Sequence, residues 1–186
     1  MFRSISSIDK WILKYISEGL IVLDTETTGL SRQKDRIIEF AALKIKNNSV
    51  IDEISFLLQS DKPIPWEVTK INGITNDMLK SGLPEEQAVK KIIDFLEGDF
   101  IIVGHNVKFD IDFIEQLLKR HGYRFSCTYL DTLQLSRKYL KGLSSYSLGN
   151  IAEYYGFKPD GLHRALTDVE TTYKLLNLII REAIKN

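Results

Sequence analysis

The stretch Ile21-Val22-Leu23-Asp24-Thr25-Glu26-Thr27-Thr28-Gly29-Leu30 decides how the chain is read. It starts as a short apolar run suited to a buried central strand. It then places two carboxylates in that strand, at Asp24 and Glu26. Side chains two apart on a strand share a face, so these two stand side by side, about 7 Å apart by strand rise. Like charges on an apolar strand repel each other and lose solvation. A divalent cation between them removes both costs, and hard cations such as Mg2+ prefer carboxylate oxygens. Thr27, Thr28 and Gly29 bring turn chemistry. They leave the carboxylates near the strand's C-terminal end, where open α/β sheets bind ligands. Taken alone, the stretch reads equally well as a strand entering a turn with two solvated acids.

The bounds set by composition are consistent with either reading. The 186 residues suffice for one domain with a sizeable core. Hydrophobic residues at 44% and charged residues at 27% describe a globular chain. Lys and Arg balance Asp and Glu, which argues against coating of nucleic acid through bulk charge. A basic rim around an acidic pocket remains compatible with that balance. The single cysteine, Cys127, excludes an internal disulfide framework and points to a reducing compartment. No apolar run approaches the ~20 residues of a membrane span, and no signal-peptide core is visible. The expectation is a soluble cytoplasmic protein with no membrane partner.

Outward from the opening stretch, periodicity organises the rest. Ile8, Trp11, Ile12, Tyr15 and Ile16 recur at helical spacing, predicting an amphipathic helix over 6–18 with Ser6-Ser7 as caps. Strands are expected at 20–26, 37–45 and 50–58, the last two joined by an Asn47-Asn48 hairpin turn. Glu39 is a polar residue in the second of these, read as structural. Residues 59–83, rich in Pro and Gly, are expected to be irregular and to carry a binding surface. A helix begins at Pro84 and ends at Gly98. It is followed by a strand at 100–103, a helix from about Phe109 to Gly122 and a short strand at 129–131. Helices are then expected over 132–140, 145–155 and 165–184. The prediction is one α/β domain with a mixed five-stranded sheet and helices on both faces. Residues 1–19 form an N-terminal helical extension ahead of a domain at 20–186.

Two further acids join the pair in the opening strand. Asp110 starts the helix after the fourth strand, within His105-Asn106-Val107-Lys108-Phe109-Asp110. Asp168 lies within His163-Arg164-Ala165-Leu166-Thr167-Asp168. Each alone is an ordinary helix-start acid. Four carboxylates and a histidine together are the set needed for two cations that activate water and steady a leaving oxygen.

These residues carry a family resemblance. The chain resembles the DEDDh 3′–5′ exonucleases of the ribonuclease H-like fold, most of all the epsilon-type proofreading exonucleases of bacterial DNA polymerase III. Three motifs match in order: Asp24-Thr25-Glu26-Thr27-Thr28-Gly29-Leu30, His105-Asn106-x-x-Phe109-Asp110, and His163-x-Ala165-x-x-Asp168. Asn72-Gly73-Ile74-Thr75 and Asp131-Thr132-Leu133 match secondary features. The resemblance implies that Asp24, Glu26, Asp110 and Asp168 ligate two Mg2+ or Mn2+ ions, with His163 as general base. Histidine titrates near neutral pH, which suits that role. The resemblance also implies a 3′-terminal nucleotide seated on Thr25, Thr27, Gly29 and Leu30. His105 and Asn106 would line that site, with Leu30 and Ile74 wedged against the terminal base and Phe109 packed near the nucleotide. Lys34, Arg36, Lys62, Lys108 and Arg164 lie near motif segments as candidate phosphate contacts.

The implied substrate is the 3′ end of single-stranded DNA, in proofreading or repair, with a replicative polymerase as a candidate partner. RNA-trimming members of the same family form one alternative, since the 2′-OH contact that separates DNA from RNA is not readable in the sequence. A non-catalytic nucleic-acid or polymerase-binding module forms another, against which the intact carboxylates and His163 argue. The chain shows no polymerase-binding tail and no clamp-binding pentapeptide, so a stand-alone exonuclease is expected.

Overall fold

In the computed structural model, which describes residues 1–157 and 163–185, the apolar run around Val22 is an interior strand of a six-stranded sheet. In chain order the elements are β1 (Phe2–Ile5), α1 (Lys10–Glu18), β2 (Leu20–Thr27), β3 (Ile37–Lys46), β4 (Ser49–Leu57), α2 (Trp66–Asn72), α3 (Asn76–Leu79) and α4 (Glu85–Leu96). They continue with β5 (Ile101–Gly104), α5 (Lys108–Arg120), β6 (Cys127–Asp131), α6 (Thr132–Tyr139), α7 (Leu148–Tyr154) and α8 (Ala165–Lys185). The sheet order is β1-β6-β5-β2-β3-β4. The β2, β3 and β4 strands form an antiparallel meander, and β2, β5, β6 and β1 run parallel. Asn47 and Asn48 turn the β3–β4 hairpin with φ of 51° and 59°, the left-handed pair that a tight primed turn requires.

Strand alternation divides the core into two layers. Leu20 and Val22 of β2, with Ala41, Leu43 and Ile45 of β3, face α8, where Val169, Leu175, Leu176 and Ile179 are buried. Ile21 and Leu23, with Phe40 and Ala42, face α4 and α5, meeting Val89, Ile92, Ile111 and Ile114. The 21 residues of α8 span about 30 Å, so the helix crosses the sheet and delivers its first turn to the end of β2. Truncating a fully buried α8 residue such as Leu176 to Ala would cost about 2–5 kcal/mol. Among the described residues no helix is long and apolar enough to cross a membrane.

Several expectations need correction. The sheet has six strands rather than five: Phe2–Ile5 pairs in parallel with β6, Phe2 opposite Cys127. Four residues on a half-exposed edge are too few to show a period. The first helix starts at Lys10, and its cap is Asp9, whose side chain accepts the Ile12 amide at 2.8 Å, rather than Ser6-Ser7. The segment 59–83 is not irregular throughout, because it holds α2 and α3. Each is at most two turns long, below what a helical stripe needs. The helix expected from Ser145 begins later, with Ser147 capping α7 through the Asn150 amide.

Candidate active site

β2 brings Asp24 and Glu26 to the α8 face of the sheet at its C-terminal end, and the first turn of α8 supplies Asp168. Each of the three offers a carboxylate oxygen within 4.8 Å of the others. Ligands 2.0–2.1 Å from one Mg2+ lie at most about 4.2 Å apart, so closing on an ion requires only a small shift. Asp168 is 8% exposed. Its Oδ2 accepts the His163 amide at 3.2 Å, while its Oδ1 is buried with no hydrogen-bond partner among the described residues. A buried carboxylate oxygen left unpaired is costly. A cation beside Asp24 and Glu26 would satisfy it, so this donor set fits a hard divalent ion.

Asp110 arrives from the opposite layer, on α5. Its Oδ1 accepts both the Thr25 amide at 3.0 Å and the Thr25 hydroxyl at 2.7 Å. It stands beside the three-residue cluster rather than in it, with one oxygen already engaged. The acids raise one another's pKa values. Burial, then repulsion from Asp110, Asp168 and Glu26, lifts Asp24 well above the usual carboxylate range. Burial pushes Asp110 up to about 7 against the two Thr25 hydrogen bonds. Burial likewise pushes Glu26 up to about 7, opposed by the Asn72 amide and helped by neighbouring carboxylates. Asp168 is raised by burial as well. Without a cation this cluster holds protons that a free carboxylate would have shed.

Two residues beyond the expected ligands shape the cluster. The buried Asn72 donates its side-chain amide to Glu26 Oε2 at 3.1 Å and accepts the Ile74 amide at 3.0 Å. The sequence showed Asn72 only as part of a secondary motif. Glu39, 2% exposed and directly across from Glu26 in the β2–β3 register, is fully engaged. It accepts from Arg164 Nη2 at 2.8 Å, Arg164 Nε at 3.2 and 3.3 Å, and the Ala165 amide at 3.0 Å. A polar residue inside an apolar strand was the only sequence signal for it. Arg164 is thereby committed to Glu39, and of the other candidate phosphate contacts Arg36 pairs with Asp61 and Lys108 with Asp112. His163 is exposed, with φ of 67°.

The expected nucleotide-contact residues fall into two groups. Leu30 is 88% exposed and stands over a concavity of about 350 Å3 that Phe109 and Phe113 also line. Phe109 packs on Phe113 with ring centroids 4.8 Å apart. The loop beneath Leu30 is built by local bonds: Thr27 Oγ1 donates to the Gly29 carbonyl, the Thr28 amide donates to the Arg36 carbonyl at 2.9 Å, and the Arg36 amide donates to the Thr28 hydroxyl at 3.0 Å. A side chain at Gly29 would meet the Asp35 carboxylate at 2.6 Å, which explains the glycine by packing. Asn106 is exposed at φ 65°, its amide held by Asp131 at 3.0 Å.

Ile74 and His105 are turned to the fold instead. Ile74 is completely buried with Ile38, Ile64 and Leu79, so it supports the loop and does not present a wedge to a base. His105 has both ring nitrogens engaged, Nε2 by the Tyr146 carbonyl at 2.9 Å and Nδ1 by the Thr132 hydroxyl at 3.0 Å. A carbonyl only accepts, which places the proton on Nε2. Burial lowers the His105 pKa, so the neutral ring joins the start of α6 to the Tyr146 segment.

The family model described as Exonuclease (RNase T) matches residues 21–176. The chain belongs to the RNase T exonuclease family. It is 37% identical over 163 residues to the DNA polymerase III subunit epsilon of Aquifex aeolicus (strain VF5), covering 87% of this chain and 80% of that protein. It is also 37% identical over 155 residues to the PolC-type DNA polymerase III of Caldanaerobacter subterraneus subsp. tengcongensis, covering 83% of this chain but 11% of that polymerase. Among solved structures, E. coli exonuclease I in complex with a dA16 oligonucleotide superposes with a TM-score of 0.81 at 20% identity, over 90% of this chain and 42% of that one. That likeness is one of fold, the ribonuclease H-like α/β arrangement expected from the motifs. Membership of the RNase T exonucleases makes the chain an enzyme that removes nucleotides from the end of a nucleic acid.

Proposed function

We propose that this exonuclease shortens single-stranded DNA from its 3′ end, releasing nucleoside 5′-monophosphates, by DEDDh chemistry. The observation that carries the reading is the cluster of Asp24, Glu26 and Asp168 at the end of β2, with an Asp168 Oδ1 that has no partner among the described residues. Asp24, Glu26, Asp110 and Asp168 would hold two ions of Mg2+ or Mn2+. When bound, these ions supply Lewis-acid stabilisation of the charge developing on the scissile phosphate. His163, exposed at the mouth, takes the proton from the attacking water, while its backbone amide steadies Asp168. The 27–30 loop receives the terminal nucleotide, with Leu30 and Phe109 against its base. The solved exonuclease I complex with a single-stranded oligonucleotide supports the substrate class. The likeness to an epsilon subunit and a PolC-type polymerase supports a DNA polymerase as partner, in replication or repair. We take residues 1–19 as an addition to an exonuclease domain at 20–186, a division supported by the family match beginning at residue 21. Matched 5′-labelled DNA and RNA single strands, incubated with Mg2+ or Mn2+, test the proposal. The expected result is a ladder receding from the 3′ end of DNA that chelator abolishes. Internal cuts or chelator-resistant cleavage would refute it, and faster shortening of RNA would move the substrate to the RNA-trimming alternative.

A further inference from the structure

Glu39 is a fifth carboxylate at the site, on the sheet face that carries Asp24 and Glu26 and that Asp168 of α8 meets, and across the β2–β3 ladder from Glu26. Its field reaches Asp24, Glu26 and Asp168, raising the pKa of each. It borders Asp24, Glu26 and Asp168 without joining the group whose oxygens lie within 4.8 Å of one another. Its hydrogen bonds give it different work: both oxygens are taken by the Arg164 guanidinium and by the Ala165 amide. The amide is one of the unpaired donors at the N-terminus of α8, where a negative charge is favoured. The planar fork of Arg164 adds a two-point, charge-assisted grip. His163, immediately before Arg164, has a left-handed backbone that a non-glycine residue keeps only when its neighbours hold it. The next fixed point is Asp168, which accepts the His163 amide. The corner from His163 to Asp168 is thus pinned by Glu39 from β3 at one end and by Asp168 at the other.

We propose that Glu39 and Arg164 are a positioning pair that sets the His163 corner over the carboxylate cluster and keeps the fifth carboxylate out of the cation site. The inference rests on the function proposed above, since it is His163 as base that the pair places. It has a signature that general destabilisation lacks, because the two partners have opposite effects on charge at the cluster. Arg164→Gln leaves the Glu39 carboxylate unpaired beside Glu26 and Asp168, so Mn2+ affinity should rise. Glu39→Gln removes a negative charge and releases Arg164 toward the acids, so Mn2+ affinity should fall. Both changes loosen the corner, so both should lower kcat. The expected loss is ~10–10²-fold, the usual effect of misplacing a catalytic group by about an ångström, with KM for a single-stranded oligonucleotide nearly unchanged. Residues acting as one unit are non-additive, so the double variant should be no slower than the slower single.

The test measures kcat, KM and calorimetric Mn2+ affinity for Glu39→Gln, Arg164→Gln and the double variant, with thermal unfolding to confirm folding. Arg164→Lys keeps the charge without the fork, is read in the same assays should Arg164→Gln fail to fold, and should show an intermediate kcat. A raised KM at unchanged kcat in Arg164→Gln would make Arg164 a phosphate contact and overturn the proposal. So would multiplicative losses in the double variant, equal loss of Mn2+ in both singles, or wild-type kcat in Arg164→Lys. A wild-type protein that leaves DNA intact would refute the proposed function instead, and the opposed Mn2+ shifts would still decide the pair.

Discussion

Removing divalent cations and raising the pH should destabilise the protein through its own active-site acids. Glu26 ordinarily titrates at 4.5 and is pushed up to about 7, chiefly by burial. A carboxyl with a raised folded-state pKa binds its proton more tightly when folded than when unfolded. Its contribution to stability is therefore intact below pH 4.5 and is lost as the pH rises through about 7. That interval corresponds to about 2–3 kcal/mol for Glu26 once its partial exposure is allowed for. Asp24, Asp110 and Asp168 are raised in the same direction and add to the loss. For a domain of this size each kcal/mol moves Tm by roughly 2–4 °C, so Glu26 alone implies a fall of roughly 4–12 °C between pH 5 and pH 8 in chelator. A bound divalent cation favours the ionised acids, so the gap between Mn2+ and chelator curves should widen as the pH rises. Thermal unfolding followed by circular dichroism in both conditions measures this. A Tm in chelator that stays level or rises from pH 5 to 8, or that matches the Mn2+ value at pH 8, would refute the reasoning.

Leu30→Ala should leave Tm unchanged, since the side chain is 88% exposed. It should raise KM more on paired or blunt ends than on frayed ones, as comparison of the two substrates will show. Asn72→Ala removes the amide on Glu26 and the acceptor for the Ile74 amide. It should cost about 1–3 kcal/mol in urea unfolding, the usual cost of leaving buried partners unsatisfied, and should weaken Mn2+ binding.

The parts of this fold legible in the sequence were those with a long period. The α8 helix, the β2–β3–β4 meander and the two-faced sheet follow from apolar spacing and the Asn47-Asn48 turn, because burial of whole faces repeats over many residues. β1, α2 and α3 were not legible, since four to seven residues cannot display a repeat and their packing is set by distant neighbours. The meeting of Asp24, Glu26 and Asp168 was legible from motif residues 144 positions apart only because a resemblance joined them. Glu39 was visible as an anomaly without a partner, because the pairing that explains it spans 125 positions from β3 to Arg164. Ile74 and His105 show the converse: their place inside matching motifs points to nucleotide contact, whereas burial and satisfied hydrogen bonds give them structural work.

The central claim is that Asp168 binds the cation and His163 moves the proton. Calorimetric Mn2+ titration of His163→Ala beside Asp168→Asn, paired with pH–rate profiles on single-stranded DNA, tests it most directly. His163→Ala should keep Mn2+ binding, lose roughly 10²–10⁴-fold in kcat and lose the limb on which the wild-type rate climbs with pH. Asp168→Asn should lose Mn2+ affinity and rate together. If His163→Ala loses Mn2+ as badly as Asp168→Asn, or retains the wild-type pH limb, His163 is not the base and the account is contradicted.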